Sequence, residues 1–278
     1  MILIFSARGN RAPLQFHSTL LTDIGRKRQK NQDNGASVPE LGLFLVADGM
    51  GGHQGGETAS QMLADVVPKV VRDARRSKKW HPAVAIIDAI ENAHDQIFKR
   101  SQKESSLKGM GTTATALLFT EDKDPSTPFT LTIGHVGDSR CYFFRPGAIW
   151  QLTRDHSLVQ EKLRAGLITR EGLRTDSMKN VITRSVGFEP HVNVDVYEMA
   201  VQPGDLFMLC SDGLSGMIED RKIMEIVQKE FFDSKESDRL ELTSQALIAA
   251  ANENGGDDNI TAVLIQIRSG NENNGNFA

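Results

Sequence analysis

Residues 43–57, Leu-Phe-Leu-Val-Ala-Asp-Gly-Met-Gly-Gly-His-Gln-Gly-Gly-Glu, limit the fold more than any other stretch of the chain. Positions 43–47 are all apolar, so neither face of this segment suits solvent, and a strand covered on both sides is required. The strand delivers a carboxylate, Asp48, into a glycine-rich loop. Glycine clears side chains where a ligand or a second backbone must approach. Residues 206–216, Leu-Phe-Met-Leu-Cys-Ser-Asp-Gly-Leu-Ser-Gly, repeat the pattern around Asp212. Two buried strands that each end in Asp-Gly raise the question of a metal ion.

The other segments fill in the layers around these strands. Residues 14–24 alternate as a strand, and residues 25–34 form a polar, basic connection. Ala59, Met62, Leu63, Val66, Val67 and Val70 follow a helical period, with Glu57 at the positive end of the dipole. Pro68 is expected to kink or end that helix. A second helix is predicted over residues 82–103, with Pro82 near its first turn and His94 packed beside its apolar stripe. Four strands follow at 112–119, 129–136, 140–144 and 148–152. The links Gly137-Asp138-Ser139 and Pro146-Gly147 are short enough to make antiparallel neighbours. Residues 153–190 are polar and arginine-rich, with a short helix at 158–165 stopped by Gly166, and read as an insertion over a sheet edge. Val192, Val194 and Val196 alternate as a half-exposed strand. Residues 205–211 form a buried strand, Ile223 and Leu240 begin two further helical stripes, and residues 260–267 are the last strand. Runs of strands and pairs of helices, without a βαβ repeat, predict an α+β fold. Two packed antiparallel sheets with helices outside each, a four-layer αββα sandwich, accommodate this many buried strands. A single domain is expected over residues 14–268, with an N-terminal arm at 1–13 and a disordered tail at 269–278.

Composition narrows the partners. The chain has 278 residues, 39% hydrophobic and 24% charged, and a formal net charge of -4. That balance gives no electrostatic reason to expect nucleic acid or an anionic membrane, so phosphate recognition would have to be local. No segment reaches the ~18 apolar residues of a membrane span, and a reducing cytoplasm is the expectation. Cys141 and Cys210 lie in apolar runs and read as buried free thiols.

Asp33, Asp48, Asp138, Asp212 and Asp258 all fall at predicted strand ends or in turns. Ends and starts of antiparallel neighbours lie side by side, so these acids can gather at one edge. Unpaired, they would raise one another's pKa and destabilise the site unless divalent cations neutralised them. Oxygen ligands alone favour Mg²⁺ or Mn²⁺. Taken singly, an Asp-Gly after a strand is ordinarily a turn; the combination carries the inference.

The words Arg28-Gln-Lys-Asn-Gln-Asp33-Asn, Val46-Ala-Asp48-Gly-Met-Gly-Gly-His53, Gly111-Thr-Thr-Ala, His135-Val-Gly-Asp138-Ser-Arg, Cys210-Ser-Asp212-Gly-Leu and Asp258-Asn-Ile-Thr stand in one order. In that order they resemble the metal-dependent protein phosphatases of type 2C in their bacterial form. The resemblance implies hydrolysis of phosphoserine and phosphothreonine in proteins at a two-metal centre of Mn²⁺ or Mg²⁺. It implies that Asp48 bridges the metals, that the Gly49 carbonyl is a ligand, that Asp212 and Asp258 complete the first metal, and that Asp33 orders waters on the second. It further implies a third ion at Asp138 with Asp212, a phosphate grip by Arg28, and a flap at residues 153–190. Its partners would be phosphoproteins made by a Ser/Thr kinase, met by a monomer. Two positions depart from the pattern. Gln32 stands where Glu is common, and Met50 stands where eukaryotic members carry a histidine proposed as general acid; His53 reads as a bystander. The rival readings are a phosphatase-like binding module without turnover, against which the retained acids argue, and an enzyme confined to one phosphorylated switch protein.

Overall fold

The computed structural model of the chain describes residues 14–52, 54–121, 129–169 and 171–269. Its elements run β1 Leu14–Asp23, β2 Asp33–Val38, β3 Leu43–Met50, α1 Gly55–Ala74, α2 Pro82–Lys103, β4 Gly111–Thr112, β5 Ala114–Glu121, β6 Phe129–Val136, β7 Arg140–Arg145 and β8 Ala148–Gln151. Then follow α3 Leu158–Arg164, α4 Gly172–Thr175, β9 Asp195–Ala200, β10 Leu206–Cys210, α5 Asp212–Ser215, α6 Asp220–Val227, α7 Arg239–Glu253 and β11 Ile260–Ser269. One sheet has the order β1-β11-β10-β7-β8 and the other β2-β3-β5-β6-β9, with β4 attached to β3. Every pairing is antiparallel. This is the expected four-layer α+β sandwich.

The strand period of two explains the three apolar layers. Leu43, Leu45 and Ala47 of β3 face α1 and α2, whereas Phe44 and Val46 face the other sheet. In β10, Leu206, Met208 and Cys210 lie against the C-terminal helices, while Phe207 and Leu209 fill the space between sheets. Phe16, Phe44, Phe119, Phe207 and Phe143 form a chain of ring contacts through that middle layer, with centroids 5.1 to 5.9 Å apart. Fully burying each such ring stabilises by roughly 1.5–3 kcal/mol. Both cysteines are free and buried. His94 is buried, as expected, and its Nδ1 accepts the Gly187 N–H at 3.0 Å.

Several expectations are corrected. Pro68 neither ends nor interrupts α1, which continues to Ala74; its ring is buried on the packed face, and that burial offsets the hydrogen bond it removes. The half-exposed strand begins at Asp195, beyond Val192 and Val194. Residues 33–38, within and after the supposed polar connection, form strand β2. Gly137-Asp138-Ser139 is not a hairpin, because β6 and β7 belong to different sheets, and the turn carries the chain from one to the other. Ser269 closes β11 and does not belong to a tail. The expected arm at residues 1–13, residues 122–128, His53, Arg170 and residues 270–278 lie outside the described residues. Among the described residues no helix is long and apolar enough to cross a membrane.

Candidate active site

The acids come together where the sheets meet at one end. Asp33 and Asp48 are register partners in the β2–β3 ladder. Asp33 comes from one sheet, yet its Oδ2 accepts hydroxyls from the other: Ser211 Oγ at 2.7 Å and Thr261 Oγ1 at 2.7 Å. Its Oδ1 is buried with no hydrogen-bond partner among the described residues. Asp138 occupies the inter-sheet corner and is buried, and its Oδ1 is likewise unpartnered among the described residues.

Backbone contacts fix the other members. Thr113 N–H and Thr112 Oγ1 donate to the Asp48 carbonyl at 2.9 and 3.0 Å, and Asp48 N–H donates to Thr113 Oγ1 at 2.9 Å. Thr113 Oγ1 also shares a 2.8 Å hydrogen bond with Ser139, next to Asp138. The end of β3 presses so closely on the start of α1 that a Cβ on Gly49 would lie 2.1 Å from the Gly56 carbonyl oxygen. The glycine loop therefore permits backbone contact here. Asp212 opens α5, and the next residue, Gly213, leaves room for the Asn259 carbonyl, which a Cβ would approach to 1.9 Å. That contact brings the Asp212 helix against the entry to β11, where Asp258 lies. Asn259 Oδ1 accepts the Gln32 N–H at 2.8 Å, and its Nδ2 donates to the Ile24 and Lys30 carbonyls at 3.0 and 2.9 Å. It thereby pins the loop that carries Arg28, whose Nη2 lies 2.6 Å from Asp258 Oδ2.

Arg28, Asp138, Asp212 and Asp258 line a cleft of about 890 Å³. Flap residues Thr153, Asp155, Val159 and Lys179 form another wall of it. Arg140 anchors the flap root: its Nε and Nη2 engage the Asp155 carboxylate at 2.7 to 3.1 Å, and its Nη1 donates to Tyr142 Oη at 2.9 Å.

Crowding shows in the acidities. Burial first, and then the charges of Asp33, Asp212, Asp138 and Asp258, hold the Asp48 carboxyl well above its usual range. Burial pushes Asp33 up to about 7, against the pull of the Ser211 and Thr261 hydroxyls. Asp138 is raised by burial and then by Asp212 and Asp155, with Arg140 opposing. Asp212 is raised by burial and by Asp258, and a hydrogen bond with Asp48 counters this. Carboxylates so placed favour a cation at neutral pH. Among the described residues no three acidic, imidazole or thiol side chains converge tightly enough to ligate one ion alone. As an all-oxygen donor set, these carboxylates fit hard divalent ions, which keep several waters and accept a backbone carbonyl such as that of Gly49.

The structure thus places all six expected acidic or carbonyl positions, and Arg28, around one end of the sheets. At the two departures from the pattern, Gln32 Nε2 donates to the Gly51 carbonyl at 3.4 Å, a role a carboxylate cannot take, and Met50 presents a half-buried thioether. The residues that hold the acids, namely Thr112, Thr113, Ser139, Ser211, Asn259 and Thr261, carried no role in the sequence reading. Their only signal was adjacency to the acids within the same short words.

Comparison with known proteins agrees with this geometry. The family model described as Protein phosphatase 2C matches residues 9–260. The serine/threonine phosphatase stp of Listeria monocytogenes is 34% identical over 263 residues, covering 90% of this chain and 95% of its own length. Protein phosphatase PhpP of Streptococcus pneumoniae is 34% identical, covering 90% of this chain and 96% of its own. Among solved structures, the Mycobacterium tuberculosis serine/threonine phosphatase PstP/Ppp superposes with a TM-score of 0.79 at 30% identity, covering 91% of this chain and 99% of its own. The catalytic domain of PstP in complex with two manganese ions gives 0.78 at 30% identity, covering 92% of this chain and all of its own. With the family model matched over residues 9–260 and relatives 34% identical over 90% of its length, the chain belongs to the protein phosphatase 2C family.

Proposed function

We propose that this chain is a metal-dependent protein serine/threonine phosphatase that hydrolyses phosphoserine and phosphothreonine in proteins with Mn²⁺ or Mg²⁺. The observation that carries the reading is the gathering of Asp33, Asp48, Asp138, Asp212 and Asp258, two of them with buried oxygens that have no partner among the described residues, beside a cleft entered by Arg28. Asp48, Asp212, Asp258 and the Gly49 carbonyl would hold two ions, Asp33 would order their waters, and Asp138 with Asp212 would hold a third. Bound there, the ions acidify a water and polarise the phosphoryl oxygens. Arg28 orients the phosphate with a planar fork suited to two oxygens. Asp33, fixed by two hydroxyls at Oδ2, leaves Oδ1 buried and without a partner among the described residues, and that oxygen would order water beside the ions. A thiolate mechanism is disfavoured, since burial pushes the Cys210 thiol up to about 12 and raises Cys141 as well. Met50 has no proton to give, so the leaving alkoxide takes its proton from water. Phosphoproteins made by a Ser/Thr kinase are the substrate class, met in the cytoplasm by a monomer.

Hydrolysis of an aryl phosphate and of a phosphothreonine peptide, with Mn²⁺ and with chelator, tests the reading; equal rates under both conditions would end it. Arg28→Lys keeps the charge but loses the fork, and kcat/KM on the peptide is expected to fall roughly 10- to 100-fold, the value of one or two charge-assisted hydrogen bonds. In His53→Ala the acid limb of the pH–rate profile is expected to stay where it is in the parent; a displaced limb would make that imidazole the missing acid.

A further inference from the structure

His156, at the root of the flap, holds both backbone polar groups of Gly137, the residue before Asp138. Its own N–H donates to the Gly137 carbonyl at 2.7 Å, and its Nδ1 accepts the Gly137 N–H at 3.0 Å. Because Nδ1 accepts, the ring proton sits on Nε2, which donates to Asp195 Oδ2 at 3.2 Å. Asp195 in turn receives Arg184 Nη1 of the flap at 2.5 Å and the Tyr197 hydroxyl at 3.3 Å. The His156 carbonyl accepts the flap's Thr183 N–H at 2.8 Å. Gly137 lies between the two sheets, outside either ladder, and Asp138 Oδ1 is buried with no hydrogen-bond partner among the described residues. The backbone that His156 clamps therefore helps set the direction of the Asp138 carboxylate, with the Thr113–Ser139 hydrogen bond holding the other side of the turn.

We propose that His156 is a positioning residue that sets the Asp138 carboxylate and ties it to the flap through Asp195 and Arg184. This rests on the reading of Asp138 as a ligand of the metal centre. Flap and acid turn then move as one unit, and a protein substrate that displaces the flap also displaces Asp138. Outer partners that orient a ligand typically change metal affinity by 10- to 100-fold when removed.

The test uses the full chain and two readouts other than turnover: amide hydrogen exchange, and Mn²⁺ binding by calorimetry. In His156→Ala, exchange at the Gly137 amide is expected to accelerate about tenfold or more, and the weakest-held Mn²⁺ to bind about tenfold less tightly. Amides of β3 and β10 and the tightest Mn²⁺ are expected to stay within about twofold of the parent. His156→Asn, whose short amide can still accept the Gly137 N–H, is expected to restore protection there. Asp195→Ala, which leaves the ring unanchored, is expected to accelerate Gly137 exchange about threefold, in the same direction as His156→Ala but by less. A Gly137 amide unchanged in His156→Ala overturns the proposal, as does loosening that spreads equally through β3 and β10. If the parent chain binds no Mn²⁺, the metal-centre reading falls instead, and the exchange result still decides whether His156 clamps the corner.

Discussion

Asp48→Asn is expected to lower kcat on both aryl phosphate and phosphothreonine peptide by about a thousandfold or more, while the metal-free chain stays folded. Asp48 faces Asp33 across the β2–β3 ladder and feels the charges of Asp33, Asp212, Asp138 and Asp258. In the proposed reading a carboxylate at this hub would help hold the ions, whereas an amide there supplies one weak oxygen and no charge. Losing several kcal/mol of transition-state stabilisation corresponds to about a thousandfold in rate. Stability should move the other way. Without metal, the buried Asp48 carboxylate is a cost to the fold, because burial and like charges both oppose ionisation. The chelated Asp48→Asn chain should therefore melt at or above the chelated parent at pH 8. Initial rates over a Mn²⁺ series, paired with melting of the chelated proteins, check both halves. Activity retained within about threefold at saturating Mn²⁺ would remove Asp48 from the metal centre.

The acids were legible in the sequence because strand ends in antiparallel sheets share an edge, and each acid sits at an element end. The layers were legible because positions 43–47 and 206–210 are apolar on both faces. Strand β2 was not, since Asp-Asn-Gly-Ala-Ser-Val has no apolar run and owes its conformation to pairing with β3 at the sheet edge. The corner at Asp138 was misread as a hairpin for a related reason. β6 and β7 are both buried, and a three-residue link is short enough for either a hairpin or a step between sheets; only the pairing of β7 with β10 decides. Pro68 shows a local rule yielding to tertiary burial. The hydroxyls on Asp33 were invisible because Ser211 and Thr261 lie far from it in sequence and obey no period. Their partnership exists only once the sheets are stacked.

The gain in melting temperature from Mn²⁺ is expected to be small near pH 5 and to grow to roughly 10 °C above pH 7. Burial pushes Asp33 up to about 7 in the folded chain, above the ordinary 3.8, and raises Asp48, Asp138 and Asp212 as well. Between those values the folded, metal-free chain binds more protons than the unfolded one, so these groups make stability fall as pH rises. The full Asp33 shift would be worth about 4 kcal/mol, and a chain of this length moves by about 2–4 °C per kcal/mol. Buried histidines act in the opposite sense. His135 is lowered to about 4 by burial and then by His156, and His156 is itself lowered by burial. Each binds fewer protons folded than unfolded, so each makes stability rise with pH below its ordinary value near 6.5, for His135 through about pH 4 to 6.5. The chelated protein alone can thus look nearly flat with pH. The difference between loaded and chelated melting curves separates the two, because the metal engages the carboxylates and leaves the His135 contribution common to both. Ions that replace the shared protons abolish the carboxylate cost, and at a hundred times Kd add about 2.7 kcal/mol by mass action. Melting from pH 4.5 to 8, with and without Mn²⁺, measures that difference directly. A Mn²⁺ gain that is constant across the range would mean the carboxylates are already ionised and unstrained without metal, and that the crowding at the end of the sheets is not what draws the ions in.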